Sequence, residues 1–271
     1  MWKFVREVGF FCREAVHKRR VIYELAKRDL QAQSKGSYLG VAWQFIHPLA
    51  YIFVLVFIFA VGLRSNPAQD VPFVVFLISG MIAWQFFQSN INGLTRIVAQ
   101  HSYLIKKGKF SLPLLHIAKL LSSLAPHLLT LAITLIVCWI YHFPPSLYIL
   151  QLFYYLGAMC LFLLGLGWIT SSTSLFVEDV GNVVSIMTQF GFWLTPIIWN
   201  IKRVTPQFRW IFRLNPMTYI VDGYRDSLIY QRPFWEKPLD TLYFWAVTAL
   251  ALGIGVKVFR KLKPHLGEVV R

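Results

Sequence analysis

Acidic side chains are scarce in this chain: 12 Asp and Glu stand against 27 Lys and Arg in 271 residues, a formal net charge of +15. Charge of either sign is absent from six runs, 45–63, 71–90, 120–141, 147–169, 183–199 and 241–256. A helix needs about 20 apolar residues, at about 1.5 Å each, to cross the hydrocarbon of a bilayer. A buried helix of a soluble core can imitate one such run; six in one short chain exclude the ordinary soluble class. Cysteine is nearly missing as well. Cys12, Cys138 and Cys160 form no spacing pattern and two lie inside the runs, which excludes a disulfide framework or a thiolate metal cluster.

Catalytic signatures are missing too. Gly108-Lys109 is followed by Phe110, and no glycine stands five places before Gly108, so no phosphate-cradling loop is present. There is no HExxH, no GxSxG, and no acidic cluster inside a run that would hold Mg²⁺ for phosphoryl transfer. Residues 1–44 contain no compact apolar block of the kind a secretory leader carries, so none is expected before the first span.

What is there is a pattern of positive charge. Lys3, Arg6, Arg13, Lys18, Arg19, Arg20, Lys27, Arg28 and Lys35 precede the first run. Arg96, Lys106, Lys107 and Lys109 lie between the second and third, and Lys257, Arg260, Lys261, Lys263 and Arg271 follow the last. The first and third connections hold only Arg64 between them. The positive-inside bias therefore predicts six spans with both termini in the cytoplasm, and it accounts for the net charge without a nucleic-acid partner. The predicted organisation is a cytoplasmic segment 1–44, a six-span domain 45–259 and a cytoplasmic tail 260–271.

Residues 200–240 depart from that bias, with seven Lys or Arg against Asp222, Asp226, Glu236 and Asp240. A seventh span over 217–230 would place Asp222, Arg225 and Asp226 in lipid, each at about 2.5–3.5 kcal/mol, and is rejected. Two short apolar pieces, 207–214 and 217–230, flank Asn215-Pro216, where proline removes a donor and disfavours helix in the residue before it. Thr195-Pro196 bends the chain just upstream. A re-entrant helical hairpin on the outer side, 207–230, fits this pattern, since broken backbone at membrane depth must be buried by protein or line a cavity. A hairpin lying on the headgroups is the alternative. Asp222, Arg225 and Asp226, one turn apart, are read as an internal ion pair rather than a metal site.

On a wheel of about 100° per residue, Met1, Phe4, Val5, Val8, Phe11, Cys12 and Ala15 oppose Lys3, Arg6, Glu7, Arg13, Glu14, His17 and Lys18. That predicts a helix lying in the membrane interface. Glu24 and Arg28, at i and i+4, support a second, exposed cytoplasmic helix. The connection with Lys106, Lys107, Lys109 and Phe110 resumes helix at Pro113; its apolar residues among lysines suit a docking helix. Glu178 and Asp179 mark the third cytoplasmic connection. His47, His127, His116 and Lys119 are the ionisable groups in or beside the spans, read as interface or kink-satisfying groups rather than a proton relay. Most aromatics belong to interface belts and lipid-facing surface. Trp84, Gln85, Phe87, Gln88, Gln189 and Trp193 mix aromatic faces with amides in a way that suits a sugar path.

"RDLQAQSKGSYLGVAWQFIHPL", "LIKKGKFSLPLL" and "FGFWLTPIIW…LNPMTYIVDGYRDSL" together resemble the permease subunit of ABC-2-type exporters of lipid-linked glycopolymers, a group that includes teichoic-acid, O-antigen and capsule transporters. The most specific pieces are Leu39-Gly40 with Trp43, Thr195-Pro196, and Leu214-Asn215-Pro216 with Tyr224-Arg225. "VPFVVFLISGMIAWQFF" and "LDTLYFW" look most like the teichoic-acid branch. Val177-Glu178-Asp179 departs from the family's Phe-Arg-Asp, inverting one charge. The resemblance implies an all-α membrane protein of six spans in the cytoplasmic membrane, acting as a homodimer above two separate ATPase subunits. ATP and Mg would be bound by those partners, and this chain would need no cofactor or metal. It further implies an ATPase-coupling region at Lys106, Lys107, Lys109, Phe110 and Pro113, with Glu24, Arg28, Glu178 and Asp179 nearby. The outer gate would comprise Pro196, Asn215, Pro216, Tyr219, Asp222, Tyr224, Arg225 and Asp226. Two other readings stand beside it: a membrane enzyme acting on lipid-linked sugars through Asp222 and Asp226, or an exporter of the same fold for a drug or small lipid.

Overall fold

The computed structural model describes residues 14, 17–32, 38–62, 70–101 and 113–262. The predicted interface helix at the N-terminus, the coupling residues Lys106, Lys107, Lys109 and Phe110, and most of the tail lie outside the described residues.

The described chain is all-α. Helix α1 covers Arg19–Ala32, and α2 covers Trp43–Val56, continued by a π-helical stretch over Phe57–Gly62. Then come α3 (Phe73–Gln100), α4 (Pro113–Ile140), α5 (Gln151–Ser174) and α6 (Asp179–Leu194). Two short helices, α7 (Arg209–Arg213) and α8 (Pro216–Arg225), precede α9 (Pro238–Leu262). A single π-helical turn, Asp226–Tyr230, extends α8.

Four of these are long and apolar enough to cross a membrane: α3, α4, α9, and α5 with the 3₁₀ turn before it. The other two predicted spans are different objects. The first is α2 with its π-helical continuation. The fifth is α6, whose 16 residues rise only about 24 Å. It stops at Leu194 because Thr195 must turn extended (ψ 134°) ahead of Pro196. Helices α3 and α4 also extend beyond the charge-free runs. α3 continues past Asn90 through Arg96 to Gln100, and α4 begins at Pro113, where the sequence resumes helix, ahead of the run that starts at 120. Absence of charge marks where hydrocarbon can lie, whereas the backbone ladder continues into the polar region beyond it.

α3 is the axis of the molecule: 78% of its most apolar 18-residue stretch is buried, against 28% for α4 and for α9. α5 packs on α9 with backbones nearly touching. A Cβ at Gly255 would fall 2.6 Å from the Gly165 carbonyl oxygen, so only glycine permits this crossing. α8 packs against α3, α5 and α9. At the end where α3 finishes and α4 begins, Ile97, Val98, Leu115, Trp168 and Phe259 form one cluster. There α1 lays Ile22 and Ala26 onto Leu114 and Ala118, leaving Glu24 and Arg28 exposed on its other face.

Candidate functional site

The break at Asn215-Pro216 is a built helix start. Asn215 caps α8, its side-chain oxygen accepting from the Met217 backbone N–H at 3.0 Å, and Pro216 takes the first helical position, where no N–H is needed. The Asn215 amide nitrogen donates to the Thr195 hydroxyl at 2.7 Å, and the Thr218 hydroxyl donates back to the Phe212 carbonyl at 2.7 Å. One asparagine thus ends α7, starts α8 and ties both to the end of α6.

Arg225, 2% exposed, is the centre of this region. Its guanidinium donates to the carbonyls of Pro196 at 2.5 Å, Ile197 at 2.7 Å and Phe76 at 3.3 Å, and stacks 3.6 Å over the Phe76 ring. Asp222 lies at 3.7 Å, while Asp226 is paired with Lys237. The predicted carboxylate partner is therefore present beside three backbone carbonyls, those of Pro196 and Ile197 in the turn after α6 and that of Phe76, which also accepts from the Ser79 hydroxyl. Burial draws the Arg225 guanidinium down to about 10, Asp222 acting in the opposite sense, so it stays charged at neutral pH. Gly80 makes room for it: a Cβ there would fall 2.9 Å from one guanidinium nitrogen.

The remaining residues of α8 are pinned in the same way. The Tyr219 hydroxyl meets Tyr154 at 3.0 Å and the Thr241 hydroxyl at 3.1 Å, and Trp245 donates to Tyr154 at 2.9 Å. Tyr224 meets His127 at 3.1 Å. Tyr155 lies so close over Gly223 that no Cβ fits there. Pro196, Asn215, Pro216, Tyr219, Asp222, Tyr224, Arg225 and Asp226 are thus brought together by α8 and the turn after α6. Phe76, Thr195, Tyr154, His127 and Lys237 complete the constellation. Nothing in the sequence marked them as partners, since each belongs to another element.

Two cavities lie beyond α7 and α8. One of about 470 Å³ opens between α2, α3 and α4, with Gln85, Gln88, Asn92, Lys119, Ser123 and Thr130 among its lining. The other, about 540 Å³, is bounded by Tyr51, Gln88, Gln189, Phe190, Phe192 and Trp193. Of the predicted path residues, Gln85, Gln88, Gln189 and Trp193 face these spaces. Trp84 and Phe87 are instead buried in packing, Trp84 against Phe192 and over Gly191.

At the other end of the bundle the coupling candidates that are described scatter. Pro113 opens α4, while Glu178 and Asp179 are exposed at the start of α6. Asp29 was not singled out from the sequence, yet one of its oxygens accepts from both Lys119 (2.9 Å) and the Ser122 hydroxyl (2.6 Å), strapping α1 to α4. An acidic residue in an apolar helix register was its only signal.

The ABC-2 type transporter family profile matches residues 20–229, taking in every helix described above except α9 and the start of α1. The chain belongs to the ABC-2 type transporter family. Like its fellow members it is a membrane transport subunit, not an enzyme. The chain resembles curated relatives along nearly their whole length. One, named O-antigen export system permease protein RfbA, from Klebsiella pneumoniae, is 27% identical over 91% of this chain and 93% of that protein. A protein of the same name from Myxococcus xanthus is 24% identical over 95% of this chain and 98% of its own length.

Proposed function

We propose that the chain is the permease subunit of an ATP-binding-cassette exporter that carries a lipid-linked polysaccharide of the O-antigen kind from the inner to the outer leaflet of the cytoplasmic membrane. The observation that carries this is similarity, end to end, to relatives named for O-antigen export. Those names move the reading from teichoic acid toward O-antigen. The absent nucleotide loop agrees with hydrolysis in a partner, which would bind ATP and Mg through its own residues. In this reading α2 and α6 act as the first and fifth of six spans, both termini are cytoplasmic, and 207–230 is a re-entrant hairpin at the outer mouth. The segment around 106–115, with Glu24, Arg28, Glu178 and Asp179, meets the ATPase.

Two copies would share a channel. Val183, Met187, Phe190 and Trp193 form an exposed stripe along α6, and Phe53, Phe57 and Val61 form another along α2 and its continuation. Helical spacing puts each set on one face, and joining two copies along these stripes would bring Gln189 and Trp193 to a common path.

The test is export. In cells lacking their own O-antigen permease, this chain with its cognate ATPase should restore polysaccharide at the surface. Intracellular accumulation with no surface polymer would overturn the reading, as would restored extrusion of a drug alone. The ATPase should hydrolyse ATP only where its own Walker residues are intact. Orientation is tested separately. A cysteine at the exposed Arg232 should react with an impermeant maleimide from outside, and one at Glu178 from inside.

A further inference from the structure

We infer that the cavity between α2, α3 and α4 is a binding site for a sugar phosphate, with Lys119 as its phosphate-binding cation and Asp29 as a built-in competitor for that cation. This rests on the reading of the chain as an exporter of a lipid-linked glycan, and names the part of that substrate the cavity takes.

The cavity, about 470 Å³, falls within the range of about 300–1,000 Å³ typical of small-molecule sites. Gln85 and Gln88 contribute amides to its wall, and Ser123 and Thr130 contribute hydroxyls, while the Asn92 amide beside them is held by Gln88, Thr188 and Ser185. Amides both donate and accept, as the hydroxyls of a sugar require. A wall of neutral amides would serve a sugar without any cation, yet Lys119 also lines the space. Its ammonium and the Ser122 hydroxyl converge on a single oxygen of Asp29, at 2.9 and 2.6 Å. A lysine and a hydroxyl converging on one anionic oxygen is the donor arrangement a phosphate oxygen needs, and lysine binds phosphate as a point charge.

Asp29 holds those donors from outside the cavity, since Lys119 and Ser122 line it and Asp29 does not. The lysine stem reaches this position over Gly93, where a Cβ would fall 2.7 Å from the Lys119 Cε. A phosphate arriving through the cavity therefore competes with Asp29 for the same two donors. If it wins them, it loosens the strap between α1 and α4. Binding of the cargo head is thereby linked to the helix that lies beside the proposed ATPase contact.

The experiment uses the full chain in phosphatidylcholine nanodiscs, titrated calorimetrically with glucose 1-phosphate, glucose and inorganic phosphate. Glucose 1-phosphate should bind more tightly than either component. Lys119→Gln should weaken it at least tenfold, and Asp29→Asn should tighten it several-fold by removing the competitor. The exchanged pair, Asp29→Lys with Lys119→Asp, controls for folding. It should keep a melting temperature near that of the parent and bind no glucose 1-phosphate. Absence of binding to the parent chain, equal affinity across the variants, or full binding by the exchanged pair overturns the inference. Loss of glucose 1-phosphate binding when phosphatidylglycerol enters the nanodisc overturns it in favour of a phospholipid site. None of these results bears on surface export, which decides the parent reading independently.

Discussion

Arg225 and Lys119 are both cations withdrawn from bulk water, and they lie about 20 Å apart along α3 as judged by their neighbours Gly80 and Gly93. Arg225 is enclosed on every side, with three carbonyl acceptors, an aromatic face and a nearby carboxylate. Lys119 is 16% exposed beside a cavity and is paired with one carboxylate oxygen. The first arrangement spends a planar five-donor group on fixed backbone, which suits a joint that holds its shape. The second leaves a flexible ammonium with an exchangeable partner, which suits a place where something arrives. Burial of charge therefore has two meanings in one molecule, and the number and kind of partners distinguish them.

The largest expected effect falls on the enclosed cation. Arg225→Ala takes the guanidinium from the carbonyls of Pro196 and Ile197 and leaves Asp222 without its cation, and should lower stability by about 3–5 kcal/mol, as loss of one partner in a buried charged network does. Thermal unfolding of the purified protein in detergent checks it; a melting temperature equal to the parent's would break the comparison. Gly223→Ala should follow at about 1–3 kcal/mol by the same measurement, because Tyr155 leaves no room for the added methyl. Asn215→Ala removes the cap of α8 and the tie to Thr195, for about 1–2 kcal/mol. Lys119→Gln should be the mildest, within about 1 kcal/mol, because the Ser122 hydroxyl still donates to Asp29 and the replacing amide can donate as well. A Lys119→Gln loss as large as that of Arg225→Ala would erase the distinction between joint and exchangeable site.

The short apolar helices show how far sequence reasoning reaches. Asn215-Pro216 was legible as a break because the chemistry of capping and of proline is local, and both of its residues act on their immediate neighbours. Arg225 was legible as one half of an internal ion pair, and the pair with Asp222 is present, but its carbonyl partners were not legible. Spacing offered Asp222 one turn away, whereas the carbonyl acceptors come from α3 and from the turn after α6, 149 and 28–29 residues distant. The amide-bearing path residues divide likewise. Gln85, Gln88 and Gln189 face open space, but Trp84, equally suited by composition, is buried against Phe192. Composition has no register in the third dimension.

What the sequence by itself determined is the solvent of this protein and the class of its elements. Uncharged runs, the distribution of Lys and Arg, and the proline breaks follow from transfer free energies and backbone sterics that act residue by residue. Only the tertiary structure decided which cations are locked and which are available. It also decided that α3 is the axis and that Asp29 reaches Lys119 across 90 residues of chain. Those outcomes depend on which helices approach each other at glycine and on which carbonyls and carboxylates packing brings within reach of each cation, and contacts of that range exist only once the helices have packed.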